Sequence, residues 1–217
     1  MDLEQVRFNM IEQQIRPWDV LDETILSLLK RVKREDYVPE VYRNMAFMDI
    51  EIPLGHGEKM LSPKVEARLV QELKLKPTDK VLEVGTGSGY MTALLASLAK
   101  HVHSVDIVPE FVAAAELKLI AHGLSNVTLE VGDAACGWAA QAPYDAIVLT
   151  GSEAVLADEL LKQLNPGGRL IAFVGVAPAM AARRIQVLEP GVQVSQDLFE
   201  TTVRALVNAP QAEQFVF

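Results

Sequence analysis

From residue 80 onward, short apolar runs alternate with segments of helical length and spacing. Each run is bounded by glycine, proline or charged residues and has the length of one buried strand. Strands that alternate with helices form a parallel sheet covered on both faces. The pattern therefore predicts an α/β fold with a doubly wound, mostly parallel sheet. The predicted strands span 81–85, 102–107, 127–133, 144–151 and 167–175, and the predicted helices span 92–100, 109–123 and 157–165.

The N-terminal part of the chain has a helical pattern. Apolar side chains recur at helical spacing on both sides of Pro17, and the second of the two helices begins near Asp22. The charged run 30–36 at the end of that helix is expected to be a solvated face. We therefore predict a helical N-terminal extension and loop over residues 1–60.

The C-terminal part has the pattern of a hairpin. Residues 183–206 contain two β-rich runs around the Pro-Gly pair at 190–191, with no helical segment between them. This arrangement predicts an antiparallel C-terminal hairpin attached to the edge of the sheet. Residues 61–217 are expected to form the sheet domain, and the two parts are expected to form one structural unit.

Composition and charge exclude several classes of protein. The 217 residues carry 29 acidic and 20 basic side chains, for a formal net charge of −9. An acidic surface repels phosphate backbones and argues against a nucleic-acid binder. The longest apolar stretch, residues 170–182, is too short to span a bilayer, and the N-terminus lacks the pattern of a signal peptide. We expect a soluble cytoplasmic protein with no membrane partner.

The cysteine and histidine content argues against a metal centre. Cys136 is the single cysteine, so disulfides within the chain and cysteine-cluster metal sites are excluded. His101 and His103 alternate on a predicted strand and share one face, which favours edge histidines over a zinc pair. No set of the four histidines has the spacing of a metal motif, and we predict no metal.

A glycine-rich segment follows the first predicted strand and opens a helix. Gly85, Gly87 and Gly89 have the spacing G-x-G-x-G, which differs from the G-x-G-x-x-G of dinucleotide binders. Glycines here permit a tight turn and the close approach of a ligand to the backbone. Glu83 is expected to place a negative charge beside this loop, which suits a cationic ligand better than a phosphate.

Polar residues also end the next three predicted strands. Asp106 is suited to accept the two hydroxyls of a ribose, and Asp133 after Gly132 is suited to accept from the amino group of an adenine. Thr150 and Gly151 end the fourth strand. Open α/β sheets bind ligands at this edge. Taken together, the four signals favour S-adenosylmethionine (SAM) over a nicotinamide cofactor or no ligand.

Several motifs resemble those of one enzyme family. The segments are REDYVPE (34–40), IPLGHGEKMLSP (52–63), VLEVGTGSGY (81–90), VGDAACGW (131–138), PYDAIVLTG (143–151) and LNPGGRLIAFVG (164–175). Together they resemble the protein-L-isoaspartate O-methyltransferases, which are class I SAM-dependent methyltransferases with a Rossmann-like fold. The resemblance implies carboxyl methylation of L-isoaspartyl residues in damaged proteins, with S-adenosylhomocysteine as the product. It also implies a candidate set of SAM contacts: Glu83, Gly85, Thr86, Gly87, Ser88, Gly89, Asp106, Ile107, Gly132, Asp133, Ala134 and Thr150.

The departures from this family fall on the acceptor side. Its T-I-S-x-P loop motif, aligned on Pro63, places Lys59 and Leu61 at the Thr and Ser positions, and Ser62 comes one residue late. The candidate catalytic residues are therefore Ser62 and His56, each as a donor that orients the acceptor. A carboxylate is ionised at neutral pH and needs no general base. Two alternatives stay open: a small-molecule acceptor, or a SAM-binding module with little isoaspartyl activity.

Two further residues of the acceptor half have open roles. Arg204, in the segment that corresponds to the family's C-terminal strand, is the C-terminal cation suited to pair with a substrate carboxylate, with Lys59 and Lys64 as alternatives. Trp138 either shields the adenine or packs in the core. The sequence assigns neither an oligomeric state nor a role for the apolar tail at 215–217.

Overall fold

A computed structural model of the protein describes residues 2–211. Within these residues, seven strands form one sheet in the order β5-β4-β3-β6-β7-β8-β9. The first five strands in this order, from β5 to β7, pair in parallel. Strands β8 and β9 continue the sheet in antiparallel pairing. The predicted Rossmann-like α/β fold is confirmed. The strands are β3 (Lys80–Val84), β4 (His101–Asp106), β5 (Val127–Val131), β6 (Tyr144–Glu153), β7 (Leu164–Val176), β8 (Ala179–Glu189) and β9 (Val192–Glu200).

Side chains of each central strand alternate between two apolar clusters, one on each face of the sheet. Val81 belongs to one cluster and Leu82 and Val84 to the other, because successive strand residues point in opposite directions. The first cluster packs against α1 through α5 and the second packs against α6. The helices are α1 (Leu3–Met10), α2 (Glu23–Arg31), α3 (Pro63–Leu73), α4 (Tyr90–Ala96), α5 (Pro109–Ala121) and α6 (Asp158–Lys162).

The N-terminal extension is helical, as predicted. The side chains of Asp2 and Asp22 accept backbone N–H groups at the starts of α1 and α2, which satisfies donors that the helices leave free. A short hairpin of β1 (Ile52–Gly55) and β2 (Glu58–Met60) follows, and Pro63 begins α3. The division of the chain near residue 60 stays a prediction.

The expectation that residues 30–36 form a solvated face is wrong for two of them. Arg34 is 1% exposed and Glu35 is 3% exposed. Arg34 Nε donates to Glu66 at 2.9 Å, and its terminal nitrogens donate to the carbonyls of Ala46 and Leu61 at 2.7 and 2.6 Å. Glu35 pairs with Arg7. Arg34 and Glu35 can be buried because each pairs with an opposite charge that is distant in sequence.

The C-terminal hairpin is confirmed, with a turn at 190–191, although β8 begins earlier than predicted and β9 ends at Glu200. The chain then crosses back to the sheet, where Ala205 forms a parallel bridge with Ser152. The tail at 215–217 lies outside the described residues. No helix among residues 2–211 is long and apolar enough to cross a membrane.

Candidate active site

One cavity of about 350 Å³ lies at the carboxyl ends of the parallel strands. Three parts of the chain line it: the ends of β3, β4, β5 and β6, the β1–β2 hairpin, and the segment 202–207. This is the edge at which open α/β sheets bind ligands, and the volume is typical of a small-molecule site. The cavity therefore spans both the motif-bearing half of the site and the half that departs from the motifs.

The glycine loop after β3 is held by specific hydrogen bonds. Gly85 has a φ of 93°, and a Cβ at this position would overlap the Thr150 side chain. Thr150 Oγ1 donates to the carbonyl oxygens of Val84 and Gly85 at 3.0 and 2.8 Å. Only glycine combines this backbone conformation with this close approach. The loop and the end of β6 thus form one wall of the cavity.

Asp106 fixes the loop from the neighbouring strand. Its Oδ2 accepts the backbone N–H of Gly87 at 2.9 Å, and its Oδ1 accepts that of Val108 at 2.9 Å. The side chain lines the cavity although the residue is only 7% exposed. Two backbone donors set the direction of this carboxylate, which leaves its remaining lone pairs available toward the cavity.

Asp133 lies at the far side of the cavity. Its Oδ1 accepts the N–H of Ala135 at 3.1 Å, and its Oδ2 accepts the Asn208 side chain at 2.8 Å. Trp138 packs directly against Gly132, where a Cβ would collide with the indole ring. The indole N–H donates to Glu130 at 2.9 Å, and the ring is not part of the cavity wall. Trp138 thus packs behind this end of the cavity.

The expectation that Glu83 places a negative charge beside the loop is wrong. Its side chain is fully buried, does not line the cavity, and accepts hydrogen bonds from Thr92 and Ser104 at 2.5 and 2.6 Å. Burial raises the pKa of Glu83 to about 8, so the carboxyl is largely protonated at neutral pH. Ser104 also contacts Thr86 Oγ1 at 2.6 Å. Glu83 therefore supports the loop through a buried polar network.

The structure does not bring Ser62 or His56 to the cavity. Ser62 is buried at the start of α3, and His56 occupies the β1–β2 turn with a φ of 52°. The His56 ring packs edge-on against Phe111, with the ring centroids 5.4 Å apart. The hairpin residues that line the cavity are instead Leu54, Gly57, Glu58, Lys59 and Leu61, with Glu51 just before the hairpin. Neither side chain is therefore placed to orient an acceptor in this cavity.

Four charged residues at the cavity wall form two ion pairs. Arg204 Nε lies 2.9 Å from Glu58 Oε1, and Arg204 Nη1 donates to the Gly57 carbonyl at 3.0 Å. Lys59 Nζ lies 3.3 Å from Glu51 Oε2. Lys64, the other candidate cation, pairs with Asp49 and does not line the cavity. The two glutamates were not expected from the sequence, where no motif distinguishes them from surface charges.

The predicted cofactor residues fall into three groups. Eight line the cavity: Gly85, Gly87, Asp106, Ile107, Gly132, Asp133, Ala134 and Thr150. Thr86 and Ser88 line a small pocket that also has Gly85, Gly87 and Thr150 in its wall. Glu83 and Gly89 line neither, and Gly89 is instead packed closely against Ala115 of α5. The strand-end signals thus converge in space as the sequence predicts.

Metal and cysteine chemistry have no visible site in the part of the chain that the structure describes. No group of three His, Cys, Asp or Glu side chains is placed to hold a metal ion within residues 2–211. Cys136 is exposed, and its pKa is raised by desolvation and by nearby carboxylates, which makes the thiol less reactive.

Comparisons with known proteins agree on one family. The family model described as "Protein-L-isoaspartate(D-aspartate) O-methyltransferase" matches residues 5–206. A protein-L-isoaspartate O-methyltransferase from Myxococcus xanthus is 43% identical over 156 residues, which is 72% of this chain and 74% of that protein. Protein-L-isoaspartate O-methyltransferase 1 from Anaeromyxobacter sp. is 37% identical over 201 residues, covering 92% of this chain and 95% of that one.

Solved structures share the fold. A protein-L-isoaspartate O-methyltransferase aligns with 95% of this chain and 66% of its own, with a TM-score of 0.77 and 22% identity. A Plasmodium falciparum protein described as belonging to the same family, crystallised with S-adenosyl-L-homocysteine, aligns with 95% of this chain and 99% of its own. Its TM-score is 0.76 at 18% identity.

Proposed function

The chain belongs to the protein-L-isoaspartate O-methyltransferase family, and we propose that it transfers the methyl group of SAM to the free carboxylate of L-isoaspartyl residues in damaged proteins. S-adenosylhomocysteine is the second product. The observation that carries the proposal is the cavity that joins the motif-bearing strand ends to the hairpin and the segment 202–207.

The residues present fit SAM at the strand ends. Asp106 is proposed to accept the ribose hydroxyls, and Asp133 is proposed to accept from the adenine amino group. The glycine loop, with Thr150 behind it, leaves room for the methionyl part because no side chain projects from Gly85 or Gly87. Ile107, Gly132 and Ala134 complete the wall on the nucleoside side.

The mechanism is methyl transfer by in-line displacement, and it requires no general base. SAM supplies an electrophilic methyl group on a sulfonium, and the acceptor carboxylate is already ionised at neutral pH. The protein therefore contributes orientation and the exclusion of water. Leu54, Leu61, Phe111 and Leu206 form an apolar wall that excludes water. Arg204 and Lys59 are the cavity cations that draw the acceptor carboxylate inward.

A matched pair of peptides tests the proposed function. One peptide contains L-isoaspartate and its twin contains L-aspartate at the same position, and both are incubated with SAM labelled on the methyl group. Label is expected in the isoaspartyl peptide alone, in a base-labile methyl ester. SAM binding by calorimetry without label in either peptide would reject the isoaspartyl acceptor while it preserves the methyltransferase.

A small-molecule acceptor is the second candidate function, and one observation favours it. Lys59 and Leu61, which occupy the family's hydroxyl positions, both line the cavity, which supports a changed acceptor. A panel of small carboxylic acids, assayed with labelled SAM, tests this alternative. SAM turnover that stays at background across both panels would leave a SAM-binding module.

The setting of the reaction also belongs to the proposal. The net charge of −9 argues against a nucleic-acid partner, and it makes a local cation such as Arg204 or Lys59 necessary to attract an acceptor carboxylate. We propose that the protein acts in the cytoplasm and without a membrane partner, as the sequence indicates.

A further inference from the structure

Lys118 of α5 donates to two carbonyl oxygens that belong to distant parts of the chain. Its Nζ lies 2.7 Å from the carbonyl oxygen of Tyr37, in the N-terminal extension, and 3.1 Å from that of Ser88, in the glycine loop. Lys118 lies outside the sequence motifs and does not line the cavity. The ammonium group therefore joins the N-terminal extension to the loop that faces the cofactor.

The surrounding contacts place α5 against the same two segments. The His122 ring stacks on the Tyr37 ring with the centroids 5.2 Å apart and an interplanar angle of 20°. Ala115 packs so closely against Gly89 that a Cβ on that glycine would lie 2.9 Å from the alanine methyl group. Lys118 lies between these two contacts along the helix. Its position is thus fixed at both ends by packing.

The glycine loop depends on such outside contacts. Gly85, Gly87 and Gly89 all have positive φ, a conformation in which the loop has little regular hydrogen bonding of its own. Asp106 holds the N–H of Gly87, and Lys118 holds the carbonyl oxygen of the next residue, Ser88. The two bonds fix consecutive residues of the loop, one through a donor and one through an acceptor.

The hydrogen bonds of Lys118 lie in partly buried surroundings. Burial lowers the pKa of the Lys118 ammonium, because charge is less well solvated there than in water. A hydrogen bond from a charged donor in such surroundings is stronger than one between neutral groups. An apolar side chain at the same position would leave both carbonyl oxygens without this partner.

We propose that Lys118 is a positioning residue for the cofactor loop, and that it raises SAM affinity by fixing the Ser88 carbonyl against the N-terminal extension. This inference rests on the proposed SAM site. The chemistry of methyl transfer does not involve Lys118, so its effect falls on SAM and S-adenosylhomocysteine binding and leaves the affinity for the acceptor peptide unchanged.

Calorimetry with SAM and S-adenosylhomocysteine tests the proposal without an activity assay. Lys118→Met is expected to weaken both affinities about tenfold, in line with the loss of a charged hydrogen bond. Lys118→Arg, which keeps the charge and the donors, is expected to recover at least part of that loss. Lys162→Met is the matched control, because the Lys162 side chain is 72% exposed and lies on α6, away from the cavity.

The outcomes separate this inference from the proposed function. A native protein that binds neither ligand would reject the SAM site itself. Native SAM affinity in a folded Lys118→Met protein would overturn the proposed role of Lys118. An increase in KM for the peptide without an increase for SAM would also overturn it. If Lys118→Met does not fold, Lys118→Gln takes its place, because glutamine is uncharged and one bond shorter and so loses the charged hydrogen bond to the Ser88 carbonyl. Native SAM affinity in that variant would equally overturn the proposal.

Discussion

Arg204 reaches across the mouth of the cavity to Glu58, with its Nε 2.9 Å from the carboxylate oxygen. Both residues line the cavity, and the arginine is otherwise well exposed, with 62% of its side chain accessible. An exposed ion pair of this kind contributes little to stability, about 0–1 kcal/mol. Its position indicates a different role: Glu58 occupies the site on Arg204 that we propose for the acceptor carboxylate.

Opposite effects of the two partners on peptide binding are therefore expected. Arg204→Gln removes the cation and should raise KM for the isoaspartyl peptide about tenfold, as for a lost charged hydrogen bond. Glu58→Gln removes the competing carboxylate and should lower the same KM. Steady-state kinetics with the labelled peptide measure both.

A purely structural pair would behave differently, because loss of either partner would then disturb the hairpin in the same way. An increase in KM for both variants would contradict the exchange of carboxylates. Arg183→Gln is the control, since Arg183 forms a comparably exposed pair with Asp197 on the C-terminal hairpin. It should leave KM for the peptide and for SAM unchanged.

The local sequence pattern predicts the convergence of the strand ends at one cavity. A buried parallel strand is a short apolar run, and its carboxyl end is marked by a glycine or a polar residue. Asp106, Asp133 and Thr150 therefore converge at the cavity although they lie 17 to 44 positions apart along the chain. In an open parallel sheet the carboxyl ends of the strands lie at one edge, so residues that end different strands come close together.

The parts that depend on distant partners were not predicted. Glu83 reads as a charge beside the loop, yet Thr92 and Ser104 enclose it in the protein interior. Arg34 reads as a surface charge, and its partner Glu66 lies 32 residues away. Arg204 contacts Gly57 across 147 residues. The local sequence shows that such a side chain is charged, and only the fold shows whether a partner lies within hydrogen-bonding distance.

Gly85 is expected to tolerate no side chain. Gly85→Ala would place a methyl group against Thr150 Oγ1, on a residue whose φ is 93°. The strained backbone alone costs about 1–3 kcal/mol, and the overlap shifts the loop. SAM affinity measured by calorimetry should fall more than about tenfold, which is the change that about 1.4 kcal/mol produces.

The control for this variant is Gly123→Ala. Gly123 also has a positive φ, of 71°, but no atom lies within 4 Å of a Cβ built there. This variant should lose some stability from backbone strain and keep its affinity for SAM. Equal losses of SAM affinity in both variants would show that strain anywhere in the sheet domain is sufficient.

Glu83 is expected to make stability fall as pH rises. Its pKa is about 8 in the folded protein against an ordinary value of 4.5, so the folded state holds a proton that the unfolded state has lost between these values. The contribution is largest below pH 4.5, declines through pH 8 and is constant above. Glu83→Gln keeps a neutral side chain and should flatten this dependence.

Urea unfolding of the native protein and of Glu83→Gln at pH 6 and pH 8.5 measures the difference. The native protein should lose more free energy of unfolding than Glu83→Gln when the pH is raised from 6 to 8.5. Each unit of pKa difference corresponds to about 1.4 kcal/mol. A difference that does not change with pH would indicate that Glu83 is ionised in the folded protein. Because the glutamine carbonyl oxygen can still accept from Thr92 and Ser104, SAM affinity should change little.

Leu61 departs from the family's loop motif at the proposed acceptor site, and one substitution can restore the serine. Its side chain is buried and lines the cavity, and its carbonyl oxygen is held by Arg34, so a serine here would be presented from a fixed backbone. Leu61→Ser should raise turnover of the isoaspartyl peptide, because a hydroxyl can orient the acceptor, while SAM affinity stays the same. Both Leu61→Ser and Leu61→Ala should lose about 2–5 kcal/mol of stability. The alanine variant removes the same bulk without adding a hydroxyl, so equal turnover in the two variants would assign any gain to space alone.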